Sequence, residues 1–105
     1  MSGHKIAVLG DMLELGRYEE IGHQMVGVRA AQVADEIVTV GEKAHLIAEA
    51  ARSSRLAKIP ITEFNENEQV IEFLKDRLKE TDVVLIKGSR GIQMDAIVSQ
   101  LEARE

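Results

Sequence analysis

Short β-branched runs alternate along this chain with longer stretches of helical period, and few architectures accept that order. Lys5–Leu9 (KIAVL), Glu36–Val40 (EIVTV), Ile61–Phe64 (ITEF) and Val83–Lys87 (VVLIK) are predicted strands. The first, second and fourth are nearly continuous apolar runs, the pattern of strands covered by helices on both faces. After the first strand, Tyr18, Ile21, Met25 and Val28 recur at helical spacing, and after the second, Ala44, Ile47, Ala48 and Ala51 do so. The same stripe returns in Val70, Ile71, Leu74 and Leu78, and again in Met94, Ile97, Val98 and Leu101. Each stripe predicts the core face of one amphipathic helix, giving four strand–helix units. The expected fold is α/β: a Rossmann-like three-layer domain with a mainly parallel sheet of four to five strands flanked by helices.

Two local signals refine this outline. Asn65 followed by Glu68 has the form of a capping box and predicts the start of the third helix. Pro60 has no N–H to give to a ladder, so the third strand is expected at an edge or entered directly after the proline. At 105 residues, with no repeat or linker, the chain is expected to be one domain spanning residues 1–105. Hydrophobic residues at 45% and charged residues at 30% are too apolar a mixture for a disordered chain.

Charge narrows the partners. A formal net charge of -5 argues against a nucleic-acid or anionic-membrane footprint, which needs clustered surplus Lys and Arg. Without cysteine there is neither a disulfide framework nor a thiolate metal site, and the three histidines lack ligand-like spacing. No apolar run approaches the roughly 20 residues of a membrane helix, and the first residues lack the apolar stretch of a signal peptide. The expected location is the cytoplasm, with small molecules or proteins as partners.

In an open parallel sheet, ligands gather beyond the carboxyl ends of the strands. Three loops fall there: Gly10-Asp11-Met12-Leu13-Glu14-Leu15-Gly16, Gly41-Glu42-Lys43, and Gly88-Ser89-Arg90-Gly91. Gly41 reads most simply as a tight strand-to-helix turn. Asp11 has two readings, a turn-capping residue or a ligand contact, and Glu14 places a second carboxylate in the same short segment. Lys87, Ser89 and Arg90 add two cations and a hydroxyl beside glycines that free backbone N–H groups, the makings of an anion nest. His23 lies early in the first helix with Gly27 one turn on, and is expected to face the same site or to be a surface or core-edge residue. Gly10 lacks a second glycine two residues on, so the G-x-G-x-x-G pattern fails. KGS reverses the order of the Walker G-K-[ST] and lacks its upstream glycine, so ATP-driven phosphoryl transfer would need residues from elsewhere.

Together, VLGDMLELG, His23-x-x-x-Gly27, VGE with His45 close behind, and VLIKGSRG-x-x-M resemble the C-terminal domain of the bacterial Mur ligase family. The likeness covers nearly the whole chain. GDMLELG with KGSR points to the branch that adds D-alanyl-D-alanine to UDP-N-acetylmuramoyl-tripeptide. The resemblance implies a Rossmann-like third domain of a three-domain enzyme of peptidoglycan synthesis. In such enzymes the central domain holds ATP and Mg²⁺ and forms an acyl phosphate, which the dipeptide amine attacks. The third domain closes over the site, and Asp11 would meet the ribose hydroxyls of ATP. The UDP-sugar domain, the P-loop domain and the Asp-x-Tyr-Asn-Ala-x-Pro stretch of that pattern do not occur in this sequence. By that reading the chain is a fragment of a larger enzyme and inactive alone. An exposed edge or apolar patch is then expected, with self-association through it.

Charge placement supplies an expectation of its own. Asp11 and Glu14 on one loop should face Lys87 and Arg90 on another, and a zwitterionic dipeptide presents an ammonium and a carboxylate to such a pair. Glu14, Lys87, Ser89 and Arg90, with His23 from its place in the first helix, are the expected substrate contacts; the resemblance implies Asp11 as the nucleotide contact. The alternative is a stand-alone doubly wound binding or receiver-like module, which would want more acidic residues at its strand ends than Asp11 alone. A nicotinamide-binding half-domain is disfavoured by the missing glycine fingerprint.

Overall fold

A computed structural model describes residues 4–54, 59–79 and 81–88 of the chain. Four parallel strands, β1 (Lys5–Gly10), β2 (Glu36–Val40), β3 (Ile61–Phe64) and β4 (Val83–Lys87), form one sheet in the order β3-β2-β1-β4. Three helices connect them: α1 (Glu19–Val33), α2 (His45–Ser54) and α3 (Asn67–Lys75). The predicted strands match these limits closely, and the sheet is parallel as the buried apolar runs require. The fourth predicted helix, around Met94–Leu101, lies outside the described residues.

Side chains of β1 alternate between two cores. Ala7 and Leu9 point to one face, where they pack with Ala30, Ala31, Ile37, Ile47 and Ala51 of α1, β2 and α2. Ile6 and Val8 point to the other, with Val38, Val40, Val70 and Leu74. Thus α1 and α2 cover one face and α3 the other. The chain steps outward from β1 to β2 to β3, then crosses back on the opposite face to reach β4 on the far side of β1. Strand order therefore reverses between β1 and β4, at their carboxyl ends.

Three local expectations need correction. The stripe Tyr18, Ile21, Met25 and Val28 of α1 faces outward, and the buried face of that helix is His23, Gly27, Ala30 and Ala31. Close packing is the cause: a Cβ at Gly27 would lie 2.3 Å from the Ile47 carbonyl oxygen, so only small residues fit where α1 meets α2. Second, β4 is at the edge of the sheet among the described residues, with Val83 and Leu85 exposed, whereas β1 and β2 are buried along almost their whole length. Third, the capping box at α3 sits one residue later than Asn65/Glu68. Glu66 is the N-cap and Gln69 the third helical residue, whose Oε1 accepts the Glu66 N–H at 3.0 Å. Pro60 enters β3 at the sheet edge as expected, and its carbonyl accepts the Ile37 N–H at 3.0 Å.

The opposite end of the sheet is pinned by Glu36, the first residue of β2. Its carboxylate is buried, with Arg77 Nη1 at 2.7 Å and His4 Nε2 at 2.9 Å. Burial pulls the Glu36 carboxyl upward, but hydrogen bonds from Arg77 and His4 and their positive charges outweigh it, leaving the group below its ordinary value. Arg77 also stacks over Phe73 at 4.4 Å.

Candidate functional site at the switch point of the sheet

β1 pairs with β2 through Gly10 and Val40, and with β4 through Leu9 and Lys87. The three loops singled out in the sequence thus leave neighbouring strands at one end. Gly10–Gly16 runs on from the central strand, with Gly41–Lys43 on one side and Lys87–Gly88 on the other. Lys87 is exposed at the end of β4, while Ser89, Arg90 and Gly91 lie outside the described residues.

The first loop is fastened at four points. Asp11 Oδ1 accepts the Ala44 N–H at 2.7 Å, which satisfies a backbone donor just ahead of α2. The Met12 N–H donates to His23 Nε2 at 3.0 Å. Leu15 packs on Gly22, where an added Cβ would lie 2.9 Å from Leu15 Cδ1. The Leu15 carbonyl accepts the Tyr18 N–H at 3.0 Å as the chain turns through Gly16–Tyr18 into α1.

Gly41 is more than a turn residue. Its φ of +115° favours glycine, and a Cβ there would also lie 2.4 Å from Asp11 Oδ1. The absent side chain is what lets the Asp11 carboxylate cross to the second loop. Glu14 is exposed, with φ at 64°, a left-handed backbone that costs a non-glycine residue about 1 kcal/mol.

His23 is placed differently from expectation. It does face the loop, but it is buried, with Nδ1 donating to the Glu19 carbonyl at 2.7 Å and Nε2 accepting from Met12. Both ring nitrogens are used within the protein, so neither is left for a substrate. Of the two readings of Asp11, capping is the one seen: Oδ1 caps the second loop, and the residue is half-buried.

Lys43 is a rim cation that motif reading passed over. Its Nζ lies 2.9 Å from Glu19 Oε1, clamping the second loop to the start of α1. The hydrogen bond and charge of Glu19, helped by Asp11 and Glu42, hold the Lys43 ammonium above its ordinary value. Its presence beside a glycine in the Gly41-Glu42-Lys43 turn was the available signal. Among the described residues no three His, Cys, Asp or Glu side chains converge as a metal site. Nor, among them, is any helix long and apolar enough to cross a membrane.

Residues 1–90 match the family model described as "Mur ligase, glutamate ligase domain". The chain is 35% identical over 100 residues to the UDP-N-acetylmuramoyl-tripeptide--D-alanyl-D-alanine ligase of Bacillus subtilis, covering 94% of this chain and 22% of that protein. It is 34% identical over 106 residues to the Escherichia coli enzyme of the same name, covering 97% and 22%. MurF from Acinetobacter baumannii superposes with a TM-score of 0.79 at 27% identity, over 98% of this chain and 23% of that one. The MurF ligase of Thermotoga maritima, solved in complex with ADP, superposes at 0.73 and 28% identity over 98% and 23%. The chain spans about a fifth of the length of these relatives. The resemblance carried by GDMLELG and KGSR is thereby borne out, and the chain belongs to the Mur ligase family, within its glutamate ligase domain.

Proposed function

We propose that this chain is the C-terminal domain of a cytoplasmic, ATP-dependent ligase that joins D-alanyl-D-alanine to UDP-N-acetylmuramoyl-tripeptide in peptidoglycan synthesis. The observation that carries this reading is the meeting of the GDMLELG and Lys87–Gly88 segments at the point where strand order reverses, in a chain similar to ligases of that name. Acidic groups on one loop and cations on the next suit a zwitterionic dipeptide. Glu14 takes the ammonium; Arg90, with Ser89 and helped by the neighbouring Lys87, takes the carboxylate.

Asp11 meets the ribose of ATP through the oxygen that does not bind Ala44. ATP and Mg²⁺ are held mainly by parts of the ligase beyond this chain, where the acyl phosphate forms and the dipeptide amine attacks it. The role of this domain is to orient the dipeptide and close the pocket, so the isolated chain is inactive.

In the full-length ligase, Arg90→Ala and Glu14→Gln should each raise the dipeptide KM about tenfold while moving the ATP KM less than about twofold. Equal effects on both substrates would count against the assignment. Asp11→Ala should show the reverse preference, with weakened use of ATP. Exposed apolar residues on α1 and β4 are proposed to drive self-association of the isolated chain. Sedimentation of Met25→Glu beside the unmodified chain checks this, and a monomer in both cases would overturn it.

A further inference from the structure

We infer, resting on the ligase reading above, that His23 is a positioning residue that sets the geometry of the dipeptide-binding loop from inside the protein. The ring is buried and bridges two backbone groups, the Glu19 carbonyl through Nδ1 and the Met12 N–H through Nε2. A neutral imidazole protonated at Nδ1 is the form that meets both partners, because a carbonyl only accepts and a backbone N–H only donates. Gly27, one turn further on the same face, brings α1 against α2, with its missing Cβ only 2.3 Å from the Ile47 carbonyl. That contact fixes the helix and therefore the depth at which the ring meets the loop. The packing at Gly27 thereby also helps seat the His23 acceptor beneath Met12.

The loop needs such a support. Glu14 holds a left-handed backbone that a free loop would relax, and it lies two residues beyond Met12. Asp11, on the near side of Met12, has its own anchor at Ala44. Loss of the Met12 bond should therefore loosen the loop at Met12 and shift Glu14, while Asp11 keeps its anchor at Ala44. The consequence is asymmetric: dipeptide binding suffers and nucleotide binding does not.

Two substitutions separate the halves of the bridge. His23→Gln places Oε1 where Nε2 stands and can accept from Met12, whereas His23→Asn keeps a donor for Glu19 but stops short of the loop. In the full-length ligase, His23→Asn should raise the dipeptide KM about tenfold, with kcat and the ATP KM within about twofold, and His23→Gln should restore the dipeptide KM to within about threefold of the unmodified enzyme. A histidine with only a structural role would lower the active fraction, and so kcat, without separating the substrates. Equal dipeptide KM values for the two variants, or a loss confined to kcat, overturns the inference.

A measurement on the unmodified ligase needs neither variant nor turnover. Imidazole ¹⁵N shifts should report protonation at Nδ1 and a bare Nε2 at His23, and the Met12 amide should exchange at least about tenfold more slowly than an open loop amide. Protonation at Nε2, or a freely exchanging Met12 amide, sinks the His23 assignment. Failure to use D-alanyl-D-alanine would sink the ligase reading instead, while these two signals would still decide whether His23 holds the loop.

Discussion

His23 and Glu36 are both buried, one at the carboxyl end of the sheet and the other at its amino end, and they are held in different ways. Glu36 is an acid compensated by the partly exposed Arg77 guanidinium and by the His4 ring, so its support is polar and comes from side chains. The partners of His23 are two backbone groups, so its support is directional and independent of any charged neighbour. The first arrangement ties the entry of β1 and the end of α3 to β2 and stabilises the fold. The second constrains one loop and stabilises a conformation. At the open, carboxyl end an ion pair also contributes, Lys43 with Glu19, but the first loop itself is held by backbone-directed bonds.

The largest expected effect tests the closed end. Arg77→Ala removes the guanidinium that contacts both Glu36 oxygens, at 2.7 and 3.3 Å, and leaves a buried carboxylate with His4 alone. Breaking a fully buried pair costs about 3–5 kcal/mol; with Arg77 nearly half exposed, about 2–3 kcal/mol is expected. Glu36→Gln should cost less, about 1 kcal/mol, because the freed, partly exposed Arg77 guanidinium rehydrates. Urea unfolding of both variants checks the order. A smaller loss for Arg77→Ala than for Glu36→Gln would show that the acid is not stranded by loss of its partner.

Next comes the open end, where shape is predicted to matter. Gly41→Ala forces a Cβ into Asp11 at 2.4 Å and into an unfavourable φ, and should cost about 2 kcal/mol. Gly22→Ala meets only the tip of the Leu15 side chain, which can swing away, and helix propensity offsets the contact. It should lie within about 0.5 kcal/mol of the unmodified protein. The contrast between two glycines around one loop sharpens the claim that Asp11, and not general crowding, fixes the Gly41 site. Similar losses at both positions would refute it.

These pairs also mark what the sequence made legible. Strand limits and direction followed from apolar runs, because burial on both faces leaves a continuous signature in composition. The faces of α2 and α3 followed from period for the same reason. The face of α1 did not. Its packing side is built from Gly27, Ala30, Ala31 and His23, and a search for large apolar residues selects the opposite side, where Ile21 and Met25 stand exposed. Small residues carry the information where helices touch closely, and hydrophobic size hides it. β4 reads as buried because VVLIK is apolar, yet its place at the edge depends on the crossover from β3, a property of topology that no single strand encodes. Asp11 and His23 drew attention as candidates by type and place. Their anchors, Ala44 and the Met12 amide, are backbone groups and have no sequence signal at all.

Acid titration separates the two ends further. The Glu36 carboxyl lies below its ordinary 4.5 when folded, so its stabilising contribution is complete above that value and is lost as pH falls through the folded one. The stability difference between the unmodified protein and Glu36→Gln should therefore shrink on the acid side of about pH 4 and stay level from there to neutrality. A difference that grows with acid would show that the carboxyl is raised, as burial alone would make it.

The smallest expected effect lies on the surface between α2 and β3, where His45 bonds Glu63 at 2.6 Å and approaches Glu49 at 3.3 Å. The hydrogen bond and charge of Glu63 hold the His45 imidazolium above its ordinary 6.5. A raised histidine contributes fully below 6.5 and loses its contribution as pH climbs through the folded value, the opposite sense to Glu36. Glu63 keeps Arg52 at 2.8 Å throughout, so part of its contribution survives deprotonation of the histidine. Glu63→Gln should accordingly lower the melting temperature more at about pH 6 than at about pH 9, without the two curves meeting. If the gap widened toward alkaline pH, Arg52 and not His45 would be the partner that matters. The contrast between a buried carboxylate and an exposed imidazole as pH sensors would then fail.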